Sequence, residues 1–464
     1  MSNEKTEKLS SKLMMKREHF SVSHAGEVEA ADAYCEGYKA FLNAAKTERE
    51  CADWFSKKAE EAGFEPFDPK KTYAPGSKVY LNNRGKAVIL ARIGTESLEK
   101  GVRIVASHID APRLDLKPVP LYEENEIAYF KTHYYGGIRK YQWVTIPLSL
   151  HGVIIRADSS KVNVRLGEEE GEPRFVLTDL LPHLSKEQNK RTLPEGIKGE
   201  EMNVLIGSRP FADDEESEKT KLNVLDLLYK KYGVTEDDFV SAELEVVPAF
   251  KAEDIGFDRS MIGAYGHDDR VCAYPGFTAL LDAEKTDKTA VMVLADKEEI
   301  GSEGNTGLNS NYLMYFIADL AKSQGLEPRH VLSASSCLSA DVTAAYDPTF
   351  SSPFEKLNAT FINHGTAFAK YTGARGKSGT NDAGAEYVAE IRSIMDGANV
   401  HWQIGELGKV DEGGGGTVAM YISKLNVNVI DIGVPVLSMH SPYEVVAKSD
   451  VYSTYRACRA FFEA

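Results

Sequence analysis

Four short apolar runs constrain this chain more than any other feature, because each ends in residues that a core does not accept unpaired. They are VRIVASHID (102–110), TAVMVLADKEE (289–299), HVLSASSCLSAD (330–341) and VIDIGVPVLSMH (429–440). Runs this short and this apolar read as buried strands, and helical patterns intervene between them. The expected fold is therefore α/β, a sheet sandwiched by helices. Strand ends in such sheets gather functional groups along one edge. A buried carboxylate costs several kcal/mol unless it has a partner, so these ends call for a shared one.

Elsewhere the pattern supplies helices. Thr47 and Glu50 form a Thr-x-x-Glu capping box, after which Cys51, Trp54 and Phe55 recur at helical spacing until Gly63. In a terminal helix Val451, Tyr455, Cys458 and Phe462 share a face, with Ser449 expected as N-cap. Between about 113 and 255 the reading changes: EIAYFKTHYY, WVTIPLSLHGVIIRAD, KVNVRLGEE and SAELEVVPAF follow one another with few helical patterns between them. At 464 residues the chain is too long for one simple core. The expectation is one discontinuous domain, 1–112 with 256–464, carrying an inserted β-rich domain at 113–255. The acidic stretch ADDEESEK, 212–219, reads as a solvated connector.

Composition removes several classes of function. No apolar run approaches the roughly 20 residues that span a bilayer, and the polar opening segment lacks the features of a secretory signal, so a cytoplasmic location is expected. Five cysteines without CxxC spacing support neither a zinc ribbon nor a disulfide framework, and they read as reduced, buried thiols. A net charge of −16 argues against binding nucleic acid or anionic lipid.

The strand ends carry the chemistry. His108 and Asp110 lie two apart, on one side of a strand, where the carboxylate can orient the imidazole. Glu298 and Glu299, as neighbours in extended chain, point apart, so one can bind a metal while the other faces a water. The third and fourth runs deliver Asp341 and His440, and YGHDDRVCAYPG adds Asp268 and Asp269 at the start of a helix. Charge arithmetic favours two divalent cations: Asp268, Glu299, Asp341 and a hydroxide balance four positive charges, with His108 and His440 neutral. Such oxygen and imidazole donors suit Zn²⁺ first, with Mn²⁺ or Co²⁺ as substitutes. Asp296 has no assigned part and reads as a solvated loop residue. Taken singly each element is more often bland; only order and spacing together raise it above a solvated loop.

That order, with the longer strings SHIDAPRLDLKP, GHDDRVCAYPGF, DKEEIGSEGNTG, LSADVTAAYDP, GELGKVDEGGGGT and LSMHSPYEVV, resembles the aminopeptidase I and aspartyl aminopeptidase family of di-zinc metallo-aminopeptidases. The resemblance runs from about residue 30 to 464 and is weakest in the inserted region. It implies that His108, Asp268 and Asp341 hold one metal and that Asp268, Glu299 and His440 hold the other. It further implies that Asp110 orients His108 and that Glu298 is the general base. Gly414 and Gly415, in the run Gly413–Gly416, would lie beside the substrate, and His183 would reach a neighbouring subunit's site. The insert would be a dimerisation domain, with dimers assembled into a tetrahedral dodecamer that acts on peptides with a free N-terminus. Two departures concern substrate contacts: Ala344 stands where the family has a histidine after Asp341, and HLSKEQ lacks a second histidine after His183.

Other readings compete. A carboxypeptidase or deacylase of the same clan would use the same ligands and base. A P-loop protein is suggested by YTGARGKS, 371–378, but Tyr371 replaces the glycine of the phosphate-cradling turn, and the preceding NHGTAFAK does not read as a buried strand. Lys377 is instead a candidate for the substrate side-chain pocket.

Overall fold

The four apolar runs lie side by side. A computed structural model describes Leu9, residues 13–212 and residues 218–464; the acidic residues 213–217 lie outside the described residues. The elements that position the site are, in chain order, strand β1 (Val102–His108), hairpin strands β2 (Arg113–Glu124) and β3 (Ile127–Tyr135), strand β4 (Met261–Ala264), helix α1 (His267–Asp282), and strands β5 (Thr289–Ala295), β6 (Ser336–Ala340), β7 (Asn428–Gly433) and β8 (Glu444–Ala447). A nine-stranded mixed sheet has β5, β1, β6 and β7 as adjacent parallel strands at its centre, with antiparallel neighbours Ala87–Arg92 and Thr366–Ala369 on either side. Registers such as Ala295 opposite His108 and Ala340 opposite Ile432 bring the carboxyl ends of all four to one edge.

Helices cover both faces because the central strands are apolar on both. On one side Val105, Leu294 and Ile430 pack against Val28–Ala44, Glu48–Glu61, α1 and Lys448–Glu463; on the other, Ile104, Val293 and Val429 pack against Tyr312–Ser323. Residues 113–248 supply all the strands of a seven-stranded sheet, with its own core around Trp143, Leu114 and Val246. Buried ion pairs join the helical layer over the first sheet to the second sheet. Lys46 Nζ donates to Glu168 at 2.8 Å and to the Pro248 carbonyl at 2.7 Å, and His151 lies between Glu50 and Glu168. Removing one partner from such a pair costs about 3–5 kcal/mol.

Several local expectations need correction. The run at 330–341 is not one strand: Pro328 at a helix N-terminus starts the short helix Pro328–Ser333, and the strand begins only at Ser336. The run at 429–440 breaks after Gly433, where an added Cβ would lie 1.7 Å from the Asp341 carbonyl; Pro435–Leu437 then joins a separate five-stranded sheet. The strand ending at Ala295 does not continue through Glu298 and Glu299, which occupy a 3₁₀ turn after Lys297 at φ +68°. Within the insert, Lys219–Tyr232 is helical, and its Val224, Leu225 and Leu228 pack on the second sheet. NHGTAFAK does contain a buried strand, Thr366–Ala369. The P-loop reading still fails, because the next helix begins only at Ala385. Thr47 accepts from Glu50 N as expected, but Glu50 closes its bond on Lys46 N, one residue early. The last helix has Ala447, not Ser449, as N-cap. All five cysteines are free and buried.

Candidate metal centre

The carboxyl edge of the four parallel strands brings together all seven residues singled out for metal binding and catalysis. Asp268 sits at the middle. Its Oδ1 is 3.1 Å from His108 Nε2 and its Oδ2 is 3.1 Å from His440 Nε2. Asp341 Oδ1 lies 3.7 Å from His108 Nε2, and Glu299 Oε2 lies 3.6 Å from His440 Nε2. Glu298 Oε2 is 3.9 Å from His108 Nε2. Two sets of donors, His108 with Asp268 and Glu299, and His108 with Glu298 and Asp341, each converge closely enough for one ion.

Both imidazoles are held with Nε2 toward Asp268. His108 Nδ1 donates to Asp110, 3.0 Å from its carbonyl and 3.2 Å from its Oδ1. His440 Nδ1 donates to the Gly137 carbonyl at 2.9 Å. Such partners fix the tautomer that leaves Nε2 as a ligand. Asp110 does more than orient an imidazole. It also accepts from Glu298 N and Glu299 N, at 3.1 and 3.2 Å, and from the Tyr135 hydroxyl at 2.8 Å. It thereby fixes the turn that aims the two glutamates apart, a divergence that extended backbone does not supply here.

The cluster fits divalent cations. His108 Nε2, Asp268 Oδ1 and Glu299 Oε1 are buried without a hydrogen-bond partner, an arrangement that otherwise costs about 1–3 kcal/mol per group. The electrostatics of the protein alone favour added positive charge there. Burial and the nearby Asp341 push Glu298 up to about 8, and burial likewise raises Asp341 and Glu299. Burial would lower His440, but Asp268 and Glu299 push it up to about 11. Burial would raise Asp268, yet the two imidazoles hold it well below the usual carboxylate range. Cations among these oxygens would replace the protons that crowding otherwise demands.

A cleft of about 400 Å³ opens beside the cluster, with Phe368, Leu407, Ile432 and Met439 among its walls. Gly414 and Gly415 line it. Gly414 is required locally: its φ is +111° and a Cβ would lie 2.5 Å from Ala374 Cα. Lys377 lines a separate cavity of about 150 Å³, pairs with Asp382 at 3.0 Å and covers the Tyr371 ring. His183 is exposed, flanked by exposed Leu180, Leu181 and Leu184. Asp296 is buried rather than solvated, and accepts from Thr306 Oγ1 at 2.6 Å. Sequence reasoning passed over three supporting groups, Tyr135, Gly137 and Glu444, and named Asp269 without giving it a role. Ser107 Oγ and His108 N both donate to Asp269 Oδ2. Glu444 had one visible signal, a carboxylate heading the otherwise apolar strand Glu444–Ala447.

An α/β sheet that converges carboxylates and imidazoles at its carboxyl edge, beside an apolar-walled cleft, defines a metallohydrolase. Residues 41–462 match the family described as "Aminopeptidase I zinc metalloprotease (M18)". The chain is 48% identical over 432 residues to a probable M18 family aminopeptidase 1 of Clostridium acetobutylicum, covering 91% of this chain and 93% of that one. It superposes on the crystal structure of an M18 family aminopeptidase from Thermotoga maritima with a TM-score of 0.92 at 43% identity, covering 97% and 99% of the two chains. The fold is shared more distantly with the S. cerevisiae mApe1 dodecamer, at 20% identity and a TM-score of 0.75 over 93% and 96% of the chains. The chain belongs to the M18 family of zinc metallo-aminopeptidases, hydrolases that act on peptide bonds.

Proposed function

We propose that this chain removes N-terminal residues from peptides by a co-catalytic mechanism with two divalent ions, zinc as the native pair and Mn²⁺ or Co²⁺ as substitutes. One observation carries the reading: the two oxygens of Asp268 each face a different imidazole nitrogen at 3.1 Å, so this one carboxylate would hold an ion on either side. His108, Asp268 and Asp341 would hold one ion, and Asp268, Glu299 and His440 the other. When bound, the pair supplies positive charge that polarises the scissile carbonyl and lowers the pKa of water. Glu298, on the His108 side, accepts the proton of the attacking water and returns it to the leaving amine. Asp110 keeps His108 and the turn bearing Glu298 in register. The apolar walls of the cleft receive the N-terminal side chain.

In this reading residues 113–255 form an inserted dimerisation domain. Its exposed Leu180, Leu181 and Leu184 are the apolar surface that a second subunit would cover, and they would carry His183 toward a neighbour's cleft. Dimers would assemble into a tetrahedral dodecamer. Among the described residues no helix is long and apolar enough to cross a membrane. Five unpaired cysteines suit the reducing cytoplasm.

The test is hydrolysis of leucyl and aspartyl chromogenic amides with Zn²⁺, Mn²⁺ and Co²⁺ supplied in turn, beside N-acylated and C-terminal substrates. Metal-dependent release from free N-termini alone is expected. Cleavage from the carboxyl end, or deacylation, would replace this reading with one of the related hydrolase activities.

A further inference from the structure

We infer that Glu444 is a positioning residue that sets the separation of the two halves of the metal centre; the inference rests on the reading of Asp268 and His440 as metal donors. Glu444 heads β8 and is 1% exposed. Its Oε1 accepts from His440 N at 2.7 Å and its Oε2 accepts from Asp268 N at 3.2 Å. One buried carboxylate therefore joins the backbones of two donors that are 172 positions apart in sequence, Asp268 and His440.

The local backbone explains why such a strut is needed. His440 has φ +63°, a left-handed conformation that is costly for an imidazole residue and persists only where the surroundings hold it. Asp268 likewise departs from the helix that follows it, with ψ 110°. Neither donor is fixed by the regular hydrogen bonds of its own element. The register of β4 with β8 sets Glu444 opposite Ala264, immediately before the turn into Asp268, so the strut is anchored in a sheet. A carboxylate is the side chain that can accept at both oxygens at once. Glutamine offers one acceptor and turns a donor toward the other N–H.

Glu444→Gln tests this without touching a side chain that would contact substrate or ion. Competition with a chelator should show the tighter-binding wild-type pair reduced to one retained Zn²⁺, with the second affinity lower by about 10–100-fold. At saturating Zn²⁺, kcat should fall with KM unchanged. The circular dichroism of the metal-free variant should match the wild type, with its melting temperature lowered by the one buried N–H left facing a donor, and Glu444→Asp should recover part of the lost affinity. Two Zn²⁺ ions bound with wild-type affinity by Glu444→Gln would overturn the inference. If that variant does not fold, wild-type crystals grown with Zn²⁺ decide: both Glu444 oxygens must remain on the His440 and Asp268 N–H groups, and an ion bonded to Glu444 would make it a ligand instead. A wild-type protein that binds no Zn²⁺ would refute the metal-centre reading itself, an outcome distinct from either.

Discussion

Replacing Asp110 by asparagine keeps the shape of the side chain and changes only what its two terminal atoms can do. Four donors converge on that carboxylate: His108 Nδ1 and Glu298 N on Oδ1, and Glu299 N and the Tyr135 hydroxyl on Oδ2. With the amide NH₂ at the Oδ1 position, two donors would each face a donor, and neither can turn away. With NH₂ at the Oδ2 position, the Tyr135 hydroxyl can rotate to accept, and only Glu299 N–H is left unmatched. The second orientation is the cheaper, and its cost is that of one unsatisfied buried N–H, about 1–3 kcal/mol. The bonds that remain change from charge-assisted to neutral and lose roughly half their strength. His108 retains the Asp110 carbonyl at 3.0 Å, so the imidazole stays near its place. The loss falls on the turn that aims Glu298 and Glu299. Zn²⁺ affinity should drop about 10–100-fold, as is usual when such supporting partners are removed. Titration against a chelator of known affinity reads this directly. Tyr135→Phe should weaken Zn²⁺ binding in the wild type and add little in the Asp110→Asn background, where the hydroxyl no longer donates to residue 110. Wild-type affinity in Asp110→Asn would refute the role given to this carboxylate.

Other expectations follow from the same geometry. Glu298→Gln should lower kcat by about 10²–10⁴-fold, the range for a lost general base, with two Zn²⁺ ions still bound; retained turnover would remove it as the base. Gly137→Ala brings a Cβ to 3.3 Å from His440 Nδ1, so His440 must give way and its ion should be the first lost on dilution with chelator. In the ion-free protein His440 is pushed up from its ordinary 6.5 to about 11. Its contribution to ion-free stability is then fully present below pH 6.5 and lost as pH rises through about 11. An ion must displace that proton, so Zn²⁺ uptake at pH 7 should release protons and tighten as pH rises. Calorimetry in buffers of different ionisation enthalpy reads the release; proton-neutral binding would contradict it.

The strand ends were legible because burial and charge conflict openly there. From Ile104 to Ala106 the first run is wholly apolar, and its imidazole and carboxylate come only at the end, at His108 and Asp110; both the sheet and the donors follow from that contrast. What the sequence hid was backbone path. Nothing in DKEEIG distinguishes an extended end from a 3₁₀ turn, so the divergence of Glu298 and Glu299 was expected from strand alternation when a positive φ at Lys297 produces it. The single apolar run holding Val429 and His440 concealed a break that only the close approach of Gly433 to Asp341 imposes. Tyr135, Gly137 and Glu444 act through contacts between segments far apart in the chain, and local pattern carries no trace of such pairing. Asp296 shows the converse: with no assigned part it read as a solvated loop residue, but it follows the end of a central strand and is buried there.

Anomalous diffraction at the zinc absorption edge, from crystals grown with Zn²⁺, tests the two-ion centre most directly. Two peaks are expected, one bounded by His108, Asp268 and Asp341 and the other by Asp268, Glu299 and His440, with an Asp268 oxygen bonded to each. A single peak, or a peak not touching Asp268, would contradict the bridged pair.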